Sequence, residues 1–340
     1  MNSTFEHIRS TLRERIVQVQ PEAFNALALD VFRFQALHNP LYNRYLELIG
    51  KKIQAVETVQ EIPFLPIELF KTYDIQTGDW TPERIFSSSG TTGQTTSRHL
   101  LHDPDWYRMG ARRAFARQYG PVENFCFLAL LPSYLERNNS SLVFMAEDFI
   151  SLSRYAQSGF YLYNMADLVK VLSDCVQNNI PTVLLGVSFA LLDLAEAFPM
   201  PLEQVIVMET GGMKGRREEL TREEVHSILK TAFNVNTIHS EYGMTELLSQ
   251  AYSGGQGRFT SPPWMKVLIR ADDDPFEIMP YPPGGNTSIT GVINIIDLAN
   301  LYSCSFIATD DLGRLHSDGR FEVLGRLDNS DIRGCSLMLG

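Results

Sequence analysis

A short stretch rich in hydroxyl groups and glycine is the first place in this sequence where chemistry can be predicted. It runs from Phe86 to Gly93 and reads FSSSGTTG. Its two glycines lack the Cβ atoms that would keep a backbone from closing around an anion, while its hydroxyls and amide N–H groups can donate to phosphate oxygens. Such clusters also form ordinary turns, and the sequence has no Walker A pattern. The residues predicted to bind phosphate are Ser87, Ser88, Ser89, Gly90, Thr91, Thr92 and Gly93, with Arg98 as a nearby cation.

Three later segments offer groups that suit a nucleotide. Gly211 and Gly212 form a glycine turn after a predicted strand, where a flat base could approach the backbone. Segment 240–246 follows another predicted strand and combines an aromatic ring, a hydroxyl and a carboxylate. Further on, segment 309–313 carries carboxylates that can accept from ribose hydroxyls, and an arginine follows. The candidate residues in these later segments are Glu241, Tyr242, Gly243, Met244, Thr245, Glu246, Asp311 and Arg326.

Alternating strands and helices between about residues 84 and 260 are expected to position these turns. Continuous apolar runs predict strands that are buried on both faces. A capping box at Thr221 predicts the start of a helix. Repeated β-α-β units predict a mainly parallel sheet covered by helices, with ligands at the carboxyl ends of its strands. The predicted strands cover 125–131, 182–187, 205–208 and 235–239, and the predicted helices cover 167–178, 189–198 and 221–233.

The chain divides into three predicted parts. Residues 1–80 read as a helical N-terminal extension packed on the core, and residues 81–261 read as an α/β nucleotide-binding core. Prolines and glycines break residues 262–340 into short pieces with predicted strands at 291–297, 305–308 and 320–324, which predicts a β-rich subdomain with a terminal cysteine segment. The predicted fold class is therefore α/β, with mainly parallel sheets covered by helices and a smaller β-rich C-terminal part.

Composition and charge argue against several classes of protein. The 340 residues include 29 basic and 40 acidic side chains, and the resulting net charge of -11 argues against nucleic acid or an anionic membrane surface as the main partner. The longest apolar run, 183–192, is too short to span a bilayer, so we expect no membrane insertion. Four cysteines without metal-ligand spacing, and an N-terminus unlike a signal peptide, predict a reduced, cytoplasmic protein.

Four of these segments, taken in order, resemble the core motifs of the adenylate-forming superfamily of acyl-CoA synthetases, adenylation domains and luciferases. The closer resemblance is to the acyl-protein synthetase (LuxE) branch, and it extends over most of the chain. The superfamily motifs lie at 88–93, 242–246, 309–313 and 325–328, and the marks of the branch lie at 131–137, 209–216 and 330–337.

The resemblance implies that ATP and Mg²⁺ are the cofactors. The loop 87–93 would bind the β- and γ-phosphates of ATP, and the turn at Gly211 and Gly212 would line the base. Tyr242 would stack on or beside adenine, and Thr245 would contact the α-phosphate. The implied activity is the conversion of a carboxylic acid, a fatty acid in this branch, to acyl-AMP with release of pyrophosphate.

The remaining motif residues also receive roles from the resemblance. Glu246 would hold Mg²⁺. Asp311 would take the ribose hydroxyls, with Arg326 reaching ribose or phosphate. Larger members of the superfamily carry a further C-terminal domain whose lysine assists adenylation, and this sequence resembles the N-terminal domain without the full lysine domain. We therefore expect Lys214, Arg98 or Arg326 to act in place of that lysine, or adenylation to be slow.

Cys335 is the candidate nucleophile for the second half of the reaction. Enzymes of the LuxE type pass the acyl group to a cysteine of their own near the C-terminus, in a setting like that of Cys335. The thiolate is the reactive form, and the adjacent Arg333 would favour it. From the residues alone, Cys335 could instead be a small buried residue of a terminal strand. The implied final acceptor is a partner such as an acyl reductase or a carrier protein.

Two other functions remain open at this point. One is an aryl- or acyl-CoA ligase, or a carrier-protein ligase, that resembles phenylacetate-CoA ligase. The other is a nucleotide-binding partner subunit without turnover.

Overall fold

A large mixed β-sheet forms the centre of the protein. The computed structural model describes residues 3–88, 95–132, 139–161, 164–211, 220–281 and 288–327. The strands in these ranges are β1 (Leu65–Pro66), β2 (Arg84–Ser87), β3 (Arg98–Leu101), β4 (Cys126–Leu130), β5 (Gly159–Phe160), β6 (Thr182–Val187), β7 (Val205–Thr210), β8 (His239–Tyr242), β9 (Ala251–Ser253), β10 (Phe259–Thr260), β11 (Met265–Arg270), β12 (Ser288–Asp297), β13 (Phe306–His316) and β14 (Phe321–Arg326).

Twelve of the described strands join in the large sheet. Its order is β11-β12-β13-β14-β10-β9-β8-β7-β6-β4-β5, and β1 pairs with β13. The strands from β5 to β8 run parallel, and from β8 to β11 each strand runs antiparallel to its neighbour. The strands β2 and β3 form a separate antiparallel pair. The predicted phosphate loop therefore connects the two strands of this pair.

Helices cover the sheet, as the β-α-β pattern predicts. The helices predicted at 167–178, 189–198 and 221–233 all form, and the capping box at Thr221 is present. Across the described ranges, none of the helices combines the length and the apolar character that crossing a membrane requires. The helices are α1 (Ser3–Gln18), α2 (Phe24–His38), α3 (Pro40–Leu48), α4 (Leu69–Thr72), α5 (Pro104–Tyr119), α6 (Ser141–Leu152), α7 (Met165–Gln177), α8 (Ser188–Ala197) and α9 (Arg222–Phe233).

Strand β8 lies further along the chain than the sequence predicts. The apolar pattern places a strand at 235–239, whereas the structure begins the strand at His239 and ends it at Tyr242. Asn234 adopts a left-handed conformation after α9, and the first residue that faces a partner on β7 is His239. Because pairing with β7 decides where the strand begins, Tyr242 belongs to the strand itself and not to the turn after it.

The C-terminal part is rich in strands, as predicted, and its strands continue the large sheet. The strand predicted at 305–308 extends to His316 as β13, so the acidic segment 309–313 is strand and not turn. Both β10 and β14 lie between β9 and β13 in the sheet order, which joins the two sides of the predicted boundary at residue 261. The three-part division of the chain remains a prediction.

Phe306 joins the N-terminal helices to the C-terminal strands. Its buried ring on β13 contacts Phe32 at 5.9 Å, Tyr42 at 6.1 Å and Phe64 at 6.3 Å between centroids. The same region is tied by the hydroxyl of Tyr42, which donates to the carbonyl of Pro63 at 2.6 Å. Aromatic contacts of this kind combine a large buried area with defined ring geometry. The helical N-terminal segment is therefore part of the same hydrophobic core as the sheet.

Truncation of Phe306 tests this connection. We expect Phe306→Ala to lower the free energy of unfolding by about 3 to 5 kcal/mol, because it leaves a cavity among three rings. Leu37→Ala, at a position on α2 that is 64% exposed, is the control, and it should change that free energy by less than about 0.5 kcal/mol. Urea denaturation measures both variants. A loss below about 1 kcal/mol for Phe306→Ala would contradict the described packing.

Candidate functional site

The carboxylate of Asp311 joins three of the predicted site residues. The hydroxyl of Tyr242 donates to Oδ2 of Asp311 at 2.7 Å, and Nε of Arg326 donates to Oδ1 at 3.1 Å. Asp311 is only 6% exposed, so these two donors compensate much of the cost of burying its charge. The fold thus brings together motifs that are 69 and 15 residues apart in the chain.

A bulge between β13 and β14 places Arg326 opposite Asp311. The pairing register shifts between Leu312 and Gly313, and Asp311 then faces Arg326 across the two strands. A Cβ atom on Gly313 would lie 2.7 Å from the backbone oxygen of Glu322, which is closer than packed atoms can approach. The glycine at this position is therefore required by close packing of the two strands.

The ring of Tyr242 lies in an aromatic cluster. It contacts Phe259 at 5.7 Å and Phe321 at 5.4 Å between centroids, and the residue is 8% exposed. Burial and the charge of Asp311 raise the pKa of the Tyr242 hydroxyl well above its ordinary value. The hydroxyl therefore keeps its proton and remains a donor to Asp311 at any physiological pH.

Glu246 lies next to the base of the predicted phosphate loop. Its carboxyl group is hydrogen-bonded to the side chain of Ser97, and the residue is 6% exposed. The amide of Ser97 in turn donates to the hydroxyl of Ser88 at 2.9 Å. Burial raises the pKa of the Glu246 carboxyl, while the hydrogen bond from Ser97 and the positive charges of Arg326 and Lys71 lower it. The same two cations also oppose the rise that burial causes in the pKa of Asp310 on β13.

His99 holds the loop that carries Thr245. Its Nδ1 lies 2.7 Å from the carbonyl oxygen of Thr245, and burial lowers the pKa of the imidazole to about 4. A neutral imidazole beside a carbonyl must carry its proton on the nitrogen that faces the oxygen, so Nδ1–H is the donor. The sequence patterns assign no role to His99 or Ser97, because their partners are 146 and 149 residues away and no local motif marks them.

Glu241 points away from this set and into the protein. The hydroxyl of Thr210 donates to Oε2 of Glu241. Burial raises the pKa of Glu241 to about 7, with a further rise from the charge of Glu209. A Cβ atom on Gly243 would lie 2.5 Å from Oε1 of Glu241, so any larger residue there would displace that carboxyl group. Met244 packs against the hydrophobic core beside this turn.

The start of the glycine turn after β7 is held by a buried network. The hydroxyl of Ser188 donates to the carbonyl of Gly211 at 2.8 Å and to Glu209 at 3.3 Å. Arg222 forms an ion pair with Glu209 at 3.3 Å, and His226 lies 3.5 Å from the same oxygen. The backbone therefore leaves the carboxyl end of β7 through Gly211 at a defined position, next to β8.

Arg98 is already committed to another partner. Its guanidinium forms an ion pair with Asp74 at 3.0 Å, and both side chains are about half exposed. Ser87 lies at the end of β2, directly opposite Arg98 on β3. Several predicted site residues lie outside the described residues: Ser89, Gly90, Thr91, Thr92, Gly93, Gly212, Lys214 and Cys335.

The described residues fit a magnesium ion that is shared with a nucleotide better than a metal held by the protein alone. No group of three or more His, Cys, Asp or Glu residues suited to a metal occurs within the described ranges. Mg²⁺ is typically held by one or two carboxylates together with substrate phosphates and water. Glu246, a single carboxyl group beside the phosphate loop, matches that pattern.

The buried His99 predicts a loss of stability in acid. Its folded pKa of about 4 lies below the ordinary value of 6.5, so the unfolded chain binds more protons between these values and stability falls as the pH drops from about 6.5 toward 4. This one group should destabilise the fold by about 2 kcal/mol at pH 5 relative to pH 7.5. Glutamine retains a donor but does not titrate. In His99→Gln, the free energy of unfolding, measured by denaturation at each pH, should therefore lack the loss that His99 causes.

The control for this experiment is His7→Gln, at an exposed position on α1. It should leave the pH dependence of the wild type unchanged. If His99→Gln and the wild type lose stability in parallel between pH 7.5 and 5, His99 is not the buried neutral group described above.

No protein-family model matches this sequence, and no curated protein sequence matches it either. Solved structures do match. McyG A-PCP, complexed with phenylalanyl-adenylate, is similar at 15% identity and a TM-score of 0.50, over 74% of this chain and 48% of that one. The O-succinylbenzoate coenzyme A synthetase (MenE) of Bacillus subtilis, in complex with AMP, has 16% identity and a TM-score of 0.48, over 83% of this chain and 68% of that one.

A luciferase-like enzyme from the mealworm Zophobas morio has 16% identity and a TM-score of 0.48, over 74% of this chain and 60% of that one. The chain thus spans about half to two thirds of the length of the structures it matches. At these identities the likeness to McyG A-PCP bears on the fold and not on the activity. It confirms the predicted fold class: the chain has the α/β fold of the adenylate-forming enzymes, with a β-rich C-terminal part.

Proposed function

We propose that this protein uses ATP to activate a carboxylic acid as acyl-AMP and then transfers the acyl group to Cys335 and on to a partner protein. The observation that carries the proposal is the hydrogen-bonded set of Tyr242, Asp311 and Arg326. The charge of Arg326 also lowers the pKa of Glu246, against the larger effect of burial. These residues come from three separate motifs. Their convergence at one place supports a shared nucleotide ligand.

Asp311 can still accept hydrogen bonds from a ribose. A carboxylate offers about four lone-pair sites, and Tyr242 and Arg326 occupy two of them. The two donors also fix the orientation of the carboxylate before any ligand arrives. Preorganised groups of this kind lose little entropy on binding, which favours a specific contact with vicinal hydroxyls. Arg326, with 69% of its side chain exposed, retains donors for phosphate or ribose.

The chemistry of the first step follows from the weakness of a carboxylate as an electrophile. A carboxylate oxygen attacks the α-phosphorus of ATP, and a new O–P bond forms. The bond between the α-phosphorus and the oxygen bridging to the β-phosphate breaks, and pyrophosphate leaves with the electron pair. Negative charge develops on the transferred and departing oxygens, so catalysis depends on N–H donors and cations placed around them.

Thr245 and Glu246 are the residues proposed to meet the reacting phosphates. His99 fixes the carbonyl of Thr245, and Ser97 fixes the carboxyl group of Glu246, so both residues are positioned by β3 and the residue before it. Glu246 would hold Mg²⁺ together with the phosphates. When bound, the metal neutralises phosphate charge and orients the leaving pyrophosphate.

The second step would use the thiolate of Cys335. Sulfur attacks the carbonyl carbon of acyl-AMP, the bond to the AMP oxygen breaks, and AMP leaves as a thioester forms. The described cysteines Cys126, Cys175 and Cys304 are buried, and burial raises the pKa of both Cys126 and Cys304 to about 12. Such thiols are poor nucleophiles. This supports a role for a cysteine outside the described residues.

The acid and the acceptor are proposed from the resemblance to acyl-protein synthetases. That resemblance favours a fatty acid and an acceptor such as an acyl reductase or a carrier protein. The similar structure of McyG A-PCP contains phenylalanyl-adenylate, which supports adenylation as the shared chemistry without supporting a particular acid. A direct ligase for CoA or a carrier protein would share the first step and differ only in the second.

Carboxylate-dependent exchange of labelled pyrophosphate into ATP tests the first step. We expect the wild type to catalyse this exchange with at least one acid in a panel of fatty and aromatic acids. Glu246→Gln should reduce the rate by about 100-fold or more, because a neutral amide replaces the carboxylate proposed to hold Mg²⁺ at the phosphates. Glu203→Gln is the matched control and should retain full activity. Glu203 is exposed and accepts a hydrogen bond from Asn234, which follows α9. Absence of exchange with every acid would overturn the proposed function.

Labelling of the protein by radioactive acid tests the second step. We expect a hydroxylamine-sensitive label on the wild type and none on Cys335→Ser, while pyrophosphate exchange persists in that variant. Cys304→Ser, at a buried position, should keep the label if it folds. A label that survives in Cys335→Ser would remove Cys335 from the mechanism and favour direct transfer to CoA or a carrier.

A further inference from the structure

We propose that Lys71 is the cation of this chain that contacts the α-phosphate of ATP and the carboxylate of the acid during adenylation. This inference rests on the proposed function and adds a residue to it. Lys71 lies in the short helix α4 with its side chain exposed, and the residues before it in the chain contact β13 and His99. Neither the motifs nor the resemblance assigns it a role.

The helix α4 is held in place by the sheet on one side and by β3 on the other. The strand β1 pairs in parallel with β13, and the amide of Ile67 continues the ladder by donating to the carbonyl of Ala308 at 3.0 Å. Glu68 follows Ile67 directly, and its side chain interacts with that of Asp310, which lies two residues beyond Ala308. The amide of Lys71 then donates to the carbonyl of Glu68 at 2.9 Å. The backbone of Lys71 therefore has a defined position close to the acidic segment of β13.

Phe70 connects the same helix to the loop of Thr245. Its ring is 1% exposed and meets His99 edge-on at 5.7 Å between centroids. His99 donates to the carbonyl oxygen of Thr245 at 2.7 Å, and Glu246 follows directly. A short chain of contacts thus fixes the distance between the backbone of Lys71 and the two residues proposed to meet the phosphates.

The helix of Lys71 is tied to both segments that carry the proposed site. The strand before it pairs with β13, and Phe70 meets His99 beside the loop of Thr245. The positive charge of Lys71 also opposes the rise that burial causes in the pKa of Asp310. Lys71 is thus an exposed cation on a helix that lies between the segments proposed to surround the phosphates.

The other described cations at the site are already engaged. Arg98 pairs with Asp74 at 3.0 Å, and Arg326 pairs with Asp311 at 3.1 Å. No described carboxylate forms an ion pair with Lys71. A lysine ammonium is a compact charge on a flexible four-carbon chain, so Lys71 can move onto an incoming anion without breaking an existing pair. Among the described residues, Lys71 is thus the cation best placed to move toward the negative charge that develops on the phosphates in the transition state.

The proposed step leaves Lys71 protonated throughout. Its ammonium donates hydrogen bonds to an oxygen of the α-phosphate and to the attacking carboxylate, which holds the two anions together. The carboxylate oxygen forms its bond to the α-phosphorus, and pyrophosphate leaves with the electrons of the broken bond. Lys71 gains and loses no proton, and its charge compensates the anionic groups in the transition state.

The test compares Lys71→Ala and Lys71→Arg with the wild type. Lys71→Ala should reduce kcat for pyrophosphate exchange by about 30-fold or more, as expected for the loss of one cation at a reacting phosphate. It should also weaken binding of α,β-methylene-ATP with Mg²⁺, measured by calorimetry, by about 10-fold, which is the effect of one charge-assisted contact. Lys71→Arg should restore most of the binding. The control is Lys170→Ala, on α7, whose side chain is 79% exposed.

Each outcome separates this inference from the proposed function. Normal exchange and normal analogue binding in Lys71→Ala would overturn the role of Lys71 and leave the proposed function standing. A wild type that binds the analogue but exchanges no pyrophosphate would overturn the proposed function. Weakened binding in Lys71→Ala would then still support the phosphate contact.

Two further outcomes would also count against the inference. An equal loss of binding in Lys71→Ala and Lys71→Arg would contradict an effect of positive charge. A wild type that neither binds the analogue nor exchanges pyrophosphate would overturn both proposals. Thermal unfolding of each variant should match the wild type, because Lys71 is exposed and packs in no core.

Discussion

The buried carboxylate of Asp311 is the constraint on which the candidate site depends. A charge that is 6% exposed must be met by donors, and the donors here are Tyr242 from β8 and Arg326 from β14. These strands are distant in sequence, and β9 and β10 lie between β8 and β14 in the sheet. Satisfying one carboxylate therefore holds two parts of the chain that are distant in sequence against each other.

The pairing of the large sheet changes from parallel to antiparallel at β8, beside the candidate site. On one side, the parallel strands deliver Thr210 and Gly211 at their carboxyl ends. On the other, the antiparallel strands bring in the acidic segment of β13, and the bulge at Gly313 sets its register. A purely parallel sheet would place the carboxylates of β13 elsewhere. The mixed sheet thus determines which motifs lie close together.

The buried carboxyl groups of the site favour a ligand that brings positive charge or a metal ion. Glu246 and Asp310 both have pKa values raised by burial, and Glu68 adds to the rise at Asp310. Carboxyl groups held in this state release protons readily when positive charge arrives. A magnesium nucleotide brings both the cation and the phosphates that engage lysine and arginine. The interpretation as a nucleotide site therefore rests on charge as well as on motifs.

The sequence by itself determined the α/β class, the helices α7, α8 and α9 with the capped start of α9, and the motif residues, because periodicity and short-range side-chain chemistry depend on residues that are close together in the chain. It misplaced β8 and ended β13 too early, since strand limits depend on partners that are distant in sequence. It also missed Ser97 and His99. Only the tertiary structure joined Tyr242 to Asp311 and placed Phe70, next to Lys71, against His99, because these contacts form between residues that no local pattern connects.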